Sequence, residues 1–119
     1  MENQPGRISN THNTEHYTWG EACDGWHFLK TGNLSVIRER MPKDRAEKLH
    51  YHEKSEQFFY ILSGEATFEV ETVKYIVRAG EGISIKPGEK HQVSNNAGSD
   101  LEFIVISSPM AHGDRINIE

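Results

Sequence analysis

Eight short strand-like runs, at 34–40, 49–53, 57–62, 66–71, 74–78, 82–85, 91–94 and 101–107, constrain the fold of this chain more than anything else in it. They are rich in Val, Ile, Phe and Tyr, which fit a pleated, half-buried surface. Gly, Pro and Asn punctuate them at Ser63-Gly64, Ala79-Gly80, Lys86-Pro87-Gly88 and Asn95-Asn96-Ala97-Gly98. No apolar stripe of helical period runs through the sequence. Short strands at near-regular spacing with turn residues between them predict an all-β sandwich or barrel.

The 119 residues suffice for one domain with a single core. Residues 1–18, rich in Asn, Thr, His and Glu, are read as a flexible N-terminal arm, and 19–119 as the β domain. Trp19, Trp26, Phe28 and Leu29, set among Gly and Asp, make 19–31 a cover strand or loop. Formal charge is -5, from 18 acidic and 13 basic residues, and no Lys/Arg cluster tracks a phosphate backbone, so nucleic acid is not expected as a partner. No run approaches the roughly 18 to 20 apolar residues of a membrane span, and Met1 to Gly20 shows no signal-peptide core. With Cys23 as the lone cysteine no intrachain disulfide is available, which fits a reduced cytoplasmic setting.

Three histidines carry the chemical signal. His50 and His52 are two apart, so on a strand their side chains leave one face with Cα atoms about 6.6 Å apart, at roughly 3.3 Å rise per residue. His91 follows a Pro-Gly turn and opens another alternating run, where a neighbouring strand could bring a third nitrogen to the same point. Three imidazoles suit Zn, Fe, Ni or Cu. Individually, each could be an ordinary polar strand residue.

The order of these residues resembles the two motifs of the cupin superfamily, small double-stranded β-helix (jelly-roll) barrels. The first family motif, G(x)5HxH(x)3-4E(x)6G, is similar to Arg45, His50, Tyr51, His52, four residues, Gln57, six residues and Gly64. The second, G(x)5PxG(x)2H(x)3N, is similar to Gly80, five residues, Lys86, Pro87, Gly88, two residues, His91, three residues and Asn95. Arg45 stands at the leading Gly, Gln57 at the Glu, and Pro87 one place late. The resemblance implies a cupin barrel holding one divalent transition metal, Fe, Mn, Ni or Zn, on His50, His52 and His91. Gln57 is then at the fourth position. Glu56 would take that place only if the strand gained a residue, since neighbouring strand residues face opposite sides. Cupins that resemble this chain commonly form homodimers, often by exchanging edge strands.

A carboxylate ligand would leave a divalent site near +1, whereas three neutral imidazoles and an amide oxygen leave it near +2. The more positive site binds anions better and acidifies a bound water more. Phe58, Phe59, Tyr60, Ile61 and Leu62 are expected to fill the barrel and its packing, as are Ile83, Ile85, Phe103, Val105 and Ile106. Phe59 and Ile61 share the face of Gln57. Glu47, Arg38 and Arg40 could be solvent charges or pocket walls. His112-Gly113-Asp114-Arg115 is either a solvated tail or a segment folded across the barrel mouth.

Two functions follow from the resemblance. One is a metal-dependent enzyme, dioxygenase- or isomerase-like, acting on a small anionic or carbonyl-containing molecule in the barrel mouth. The other is a non-catalytic small-molecule binding or sensing cupin, which the missing Glu favours. A metal-free structural barrel is the third reading.

Overall fold

In the computed structural model, which describes residues 7–111 and 113–118, alternation along each strand divides the chain into an inner and an outer face. The strands are β1 (Glu15–Trp19), β2 (Cys23–Lys30), β3 (Ser35–Met41), β4 (His50–His52), β5 (Glu56–Ser63), β6 (Glu65–Val70), β7 (Val73–Arg78), β8 (Gly82–Ile85), β9 (His91–Ser94), β10 (Leu101–Ser108) and β11 (Arg115–Asn117). They form two antiparallel sheets, β1-β2-β3-β10-β5-β8 and β11-β4-β9-β6-β7. Phe59, Ile61, Phe68, Val93, Leu101 and Phe103 fill the space between the sheets. The rings of Phe59 and Phe68 meet at 5.0 Å and 64°, the edge-to-face geometry that aromatic quadrupoles favour.

All eight expected strands are present, with ends displaced by no more than one residue. The sheet begins earlier than the sequence pattern showed: Glu15 to Thr18, within the stretch read as an arm, belong to β1, which pairs along its length with β2. Ser9 also donates its hydroxyl to the Phe28 carbonyl at 2.7 Å. The tail is likewise paired as β11 beside β4, and Asp114 accepts from the Lys54 and Ser55 N–H groups, so the solvated-tail reading does not hold for Asp114 and Arg115; His112 lies outside the described residues.

The outward half of β5 corrects another expectation. Phe58, Tyr60 and Leu62 are 40%, 41% and 37% exposed, and Ile106 on the neighbouring β10 is 37% exposed, so these four do not fill the barrel. The counterpart of the leading motif Gly is Asp44 rather than Arg45. Five residues separate Asp44 from His50, and Asp44 has φ +64°. Asn95, fully buried, donates to the Met41 and Ser99 carbonyls and accepts from Ala97 N–H, which ties the end of β3 to the loop after β9.

Gly64, between β5 and β6, has φ +82°, and a Cβ there would lie 2.5 Å from the Asp100 carbonyl oxygen. Gly80 has φ +85° but open space around it. Gly80→Ala should therefore cost only the left-handed backbone penalty, about 1 to 2 kcal/mol. Gly64→Ala should cost at least about 1 kcal/mol more, because backbone must move as well. Urea unfolding of the two variants checks this; equal losses would show that the Asp100 approach is not felt.

Candidate metal centre

Antiparallel pairing brings the three histidines together. His50 lies directly opposite His91 in the β4–β9 register, and His52 follows on the same face of β4. The turn before β9 is clamped to β4 by a 2.7 Å hydrogen bond from Gly88 N–H to the His52 carbonyl. The ring centroids lie 4.3 Å apart for His50 and His91, 5.1 Å for His50 and His52, and 5.9 Å for His52 and His91. One nitrogen from each ring falls within 4.8 Å of the other two, and all three residues are buried.

Hydrogen bonds set the ring tautomers. His50 Nδ1 lies 2.9 Å from the Lys48 carbonyl and His91 Nδ1 lies 2.9 Å from that of Glu89. A carbonyl only accepts, so each Nδ1 carries the proton and each Nε2 keeps its lone pair. His91 Nε2 is buried with no hydrogen-bond partner among the described residues, a loss that a native interior rarely tolerates without reason. Burial, reinforced by the nearby His91, pushes His50 down to about 3, and burial lowers His91 as well. Both rings are therefore neutral at neutral pH, the form that ligates a cation.

Gln57 lies on the facing sheet. It is 7% exposed and lines the cavity in front of the histidines, whereas Glu56 is exposed on the opposite face of β5. Its amide N–H donates to Ser107 Oγ at 3.0 Å, and its Oε1 is buried without a hydrogen-bond partner among the described residues. Three imidazoles, two of them with fixed tautomers, and an unmatched amide oxygen thus fit a divalent transition metal, by the chemistry of the donors and by the polar atoms otherwise left unsatisfied.

The cavity has a volume of about 270 Å³, below the roughly 300 to 1,000 Å³ of sites for drug-sized ligands. Ile37, Phe59 and Val105 form its apolar floor, and Ala111, Gly113 and Arg115 lie at its edge. Arg38 and Arg40 are not in the wall: they pair with Glu102 at 2.9 Å and with Asp100 at 3.1 Å. Glu47 is a wall residue. It accepts from Val93 N–H at 3.1 Å and lies 3.6 Å from Arg115 and 3.9 Å from His50 Nδ1. Burial pushes its carboxyl up to about 7, against the opposing pull of Arg115.

Sequence reasoning passed over Glu39 and Tyr17, which also line the cavity. For Glu39 a signal existed: Ile37 and Met41 face inward on β3, and alternation carries Glu39 with them. Nothing local marks Tyr17. Burial, with the like charge of Glu47, pushes Glu39 up to about 8. Between the ordinary value of 4.5 and about 8, the folded protein holds a proton that the unfolded chain has released, so stability falls as pH rises through that window. Glu39→Gln removes this titration. Its stability relative to wild type should therefore improve from pH 5 to pH 8 by about 1 to 3 kcal/mol, measured by urea unfolding at both pH values; a difference independent of pH would refute the shift.

Known proteins give this arrangement its place. The family model described as the cupin domain matches residues 37–107. An oxalate-binding protein of Thermotoga maritima is 32% identical over 69 residues, 58% of this chain and 57% of that protein. An uncharacterised protein of Methanocaldococcus jannaschii is 33% identical over 81 residues, 67% of this chain and 65% of its own length. The matched stretch thus spans between about half and two thirds of these relatives. Among solved structures, KdgF from Halomonas sp. superposes with a TM-score of 0.81 over 90% of this chain and 96% of its own, at 18% identity, which speaks to the fold alone. All-β architecture, facing antiparallel sheets and the matched family model agree: the chain belongs to the cupin family and has its double-stranded β-helix fold.

Proposed function

We propose that this cupin holds one divalent transition metal, Fe, Mn, Ni or Zn, on His50, His52 and His91, with Gln57 beside it, and takes a small anionic or carbonyl-containing molecule into the cavity. The observation that carries this reading is the pair of buried, unmatched acceptors, His91 Nε2 and Gln57 Oε1, in the same inter-sheet space as His50 and His52. A bound divalent ion would supply Lewis acidity toward a carbonyl or carboxylate oxygen. The protein's own part is to present neutral imidazoles, to hold the amide through Ser107, and to surround the ligand with the apolar floor of Ile37, Phe59 and Val105, where polar contacts gain strength from exclusion of water.

In the enzymatic form of this reading the cavity runs isomerase- or dioxygenase-like chemistry on the bound molecule. The binding form, a non-catalytic receptor for a small acid, draws support from the oxalate-binding relative of Thermotoga maritima and from the amide at the position of a carboxylate. Oxalate added to metal-loaded and metal-stripped protein tests the ligand class. We also place the protein in the cytoplasm, in keeping with its buried free Cys23, and no helix among the described residues is long and apolar enough to cross a membrane.

Metal analysis after expression without an affinity tag should find about one equivalent in wild type. His91→Ala should fall below about 0.1 equivalent, and Gln57→Ala should lose more metal than Glu56→Ala. Wild type below about 0.1 equivalent, or a greater loss in Glu56→Ala, would overturn the assignment.

A homodimer belongs to the same proposal, supported by the exposed apolar Phe58, Tyr60, Leu62 and Ile106 on the outer face of the six-stranded sheet. Light scattering should give twice the 13.6 kDa chain mass, and Tyr60→Glu should shift it toward monomer. A monomeric wild type at micromolar concentration would refute it.

A further inference from the structure

The cavity has a second polar end that the metal reading does not use. Tyr17, Gly25 and Glu39 lie side by side across β1, β2 and β3, Tyr17 opposite Gly25 and Gly25 opposite Glu39. Because Gly25 has no side chain, the Tyr17 ring crosses over it, and its hydroxyl donates to Glu39 Oε2 at 3.0 Å. A Cβ at Gly25 would run into that ring. The arrangement is therefore built: a bare position on the central strand lets a side chain on one neighbour reach a carboxyl on the other.

The pair stands apart from Gln57 along the strands of the six-stranded sheet. Gln57 lies opposite Ser107, and Ser107 opposite Ser35. Glu39 is four residues further along β3 than Ser35, about 13 Å at roughly 3.3 Å per residue. The row between them is Phe59, Val105 and Ile37, the apolar floor. The Glu39 carboxyl makes no hydrogen bond other than that with Tyr17 among the described residues. A carboxyl in such a place loses hydration without a matched ion pair, a cost that the core does not require.

We propose that Tyr17 and Glu39 form the second recognition point of the cavity, taking a hydroxyl at the end of the ligand remote from Gln57. This rests on the metal reading above and adds the other half of the ligand. A carboxyl whose proton is retained by burial can donate to a hydroxyl and accept from it, whereas an ammonium group would need it ionised. The direction of the Glu39 shift, up to about 8, agrees with the neutral form.

Metal-loaded protein titrated calorimetrically with matched acids tests the proposal: butyrate against 4-hydroxybutyrate, and hexanoate against 6-hydroxyhexanoate and 6-aminohexanoate. In at least one pair the hydroxy acid should bind about 5- to 10-fold more tightly, the worth of one or two net hydrogen bonds. Glu39→Leu should bring that ratio to about 1 while leaving the plain acid within about twofold of wild type. Tyr17→Phe keeps the ring and should lower the ratio at least about threefold, so the test survives if the Glu39 variant does not fold. Equal affinities at both lengths, tighter binding of 6-aminohexanoate than of 6-hydroxyhexanoate, or a preference that persists in the variants would overturn the proposal. Metal content in the same samples separates the two levels: no metal and no acid binding removes the metal reading, whereas full metal with a flat series removes only the second recognition point.

Discussion

The register of β4 against β9 is the constraint on which the site depends. A strand repeats every two residues, so His50 and His52 share a face whatever their surroundings. Only the antiparallel pairing that sets His91 opposite His50 turns two histidines into three. A shift of one residue would send His91 to the outer face and bring Gln92 inward. The Gly88 N–H bond to the His52 carbonyl and the burial of Val93 in the core both oppose that shift. Core packing and site geometry therefore stabilise the same register.

Across from the histidines, the cavity is unusual in where it carries its charge. The triad itself is neutral, with the basicity of His50 and His91 lowered, and the Gln57 amide on the facing sheet is uncharged. Two carboxyls also line the wall, Glu47 between His50 and Arg115 and Glu39 under Tyr17. On the metal reading proposed above, a +2 ion among neutral ligands would leave its charge available to an incoming anion, while burial favours the neutral form of the carboxyls. The C-terminal strand completes the wall, because pairing of β11 with β4 sets Arg115 opposite His52.

Much of this was legible in the residues. The motif spacing counted back from Gly64 points to Gln57, and strand geometry then turns Glu56 outward, as the structure has them. The spans of β8 and β9 match the sequence pattern to the residue. Three features were not legible, each for a physical reason. The β6–β7 hairpin turns on Glu71 and Thr72, both at positive φ, without the Gly or Asn that normally marks such a turn. β1 and β11 are short and polar, and they hold their places through pairing with β2 and β4 rather than through propensity. The exposure of Phe58 and Tyr60 follows from β5 having a partner sheet on only one side, which apolar content alone does not reveal.

By itself the sequence determined the all-β class and the histidines able to share an ion, because strand patterning and motif spacing are local properties of the chain. Tertiary structure decided which distant side chains meet. Tyr17 reaches Glu39 only because β1 and β3 flank a strand with glycine between them, and Glu39 becomes a cavity group only when β3 is buried beneath the facing sheet. Those relations depend on strand order and on lost water, neither of which is written in any single stretch of residues.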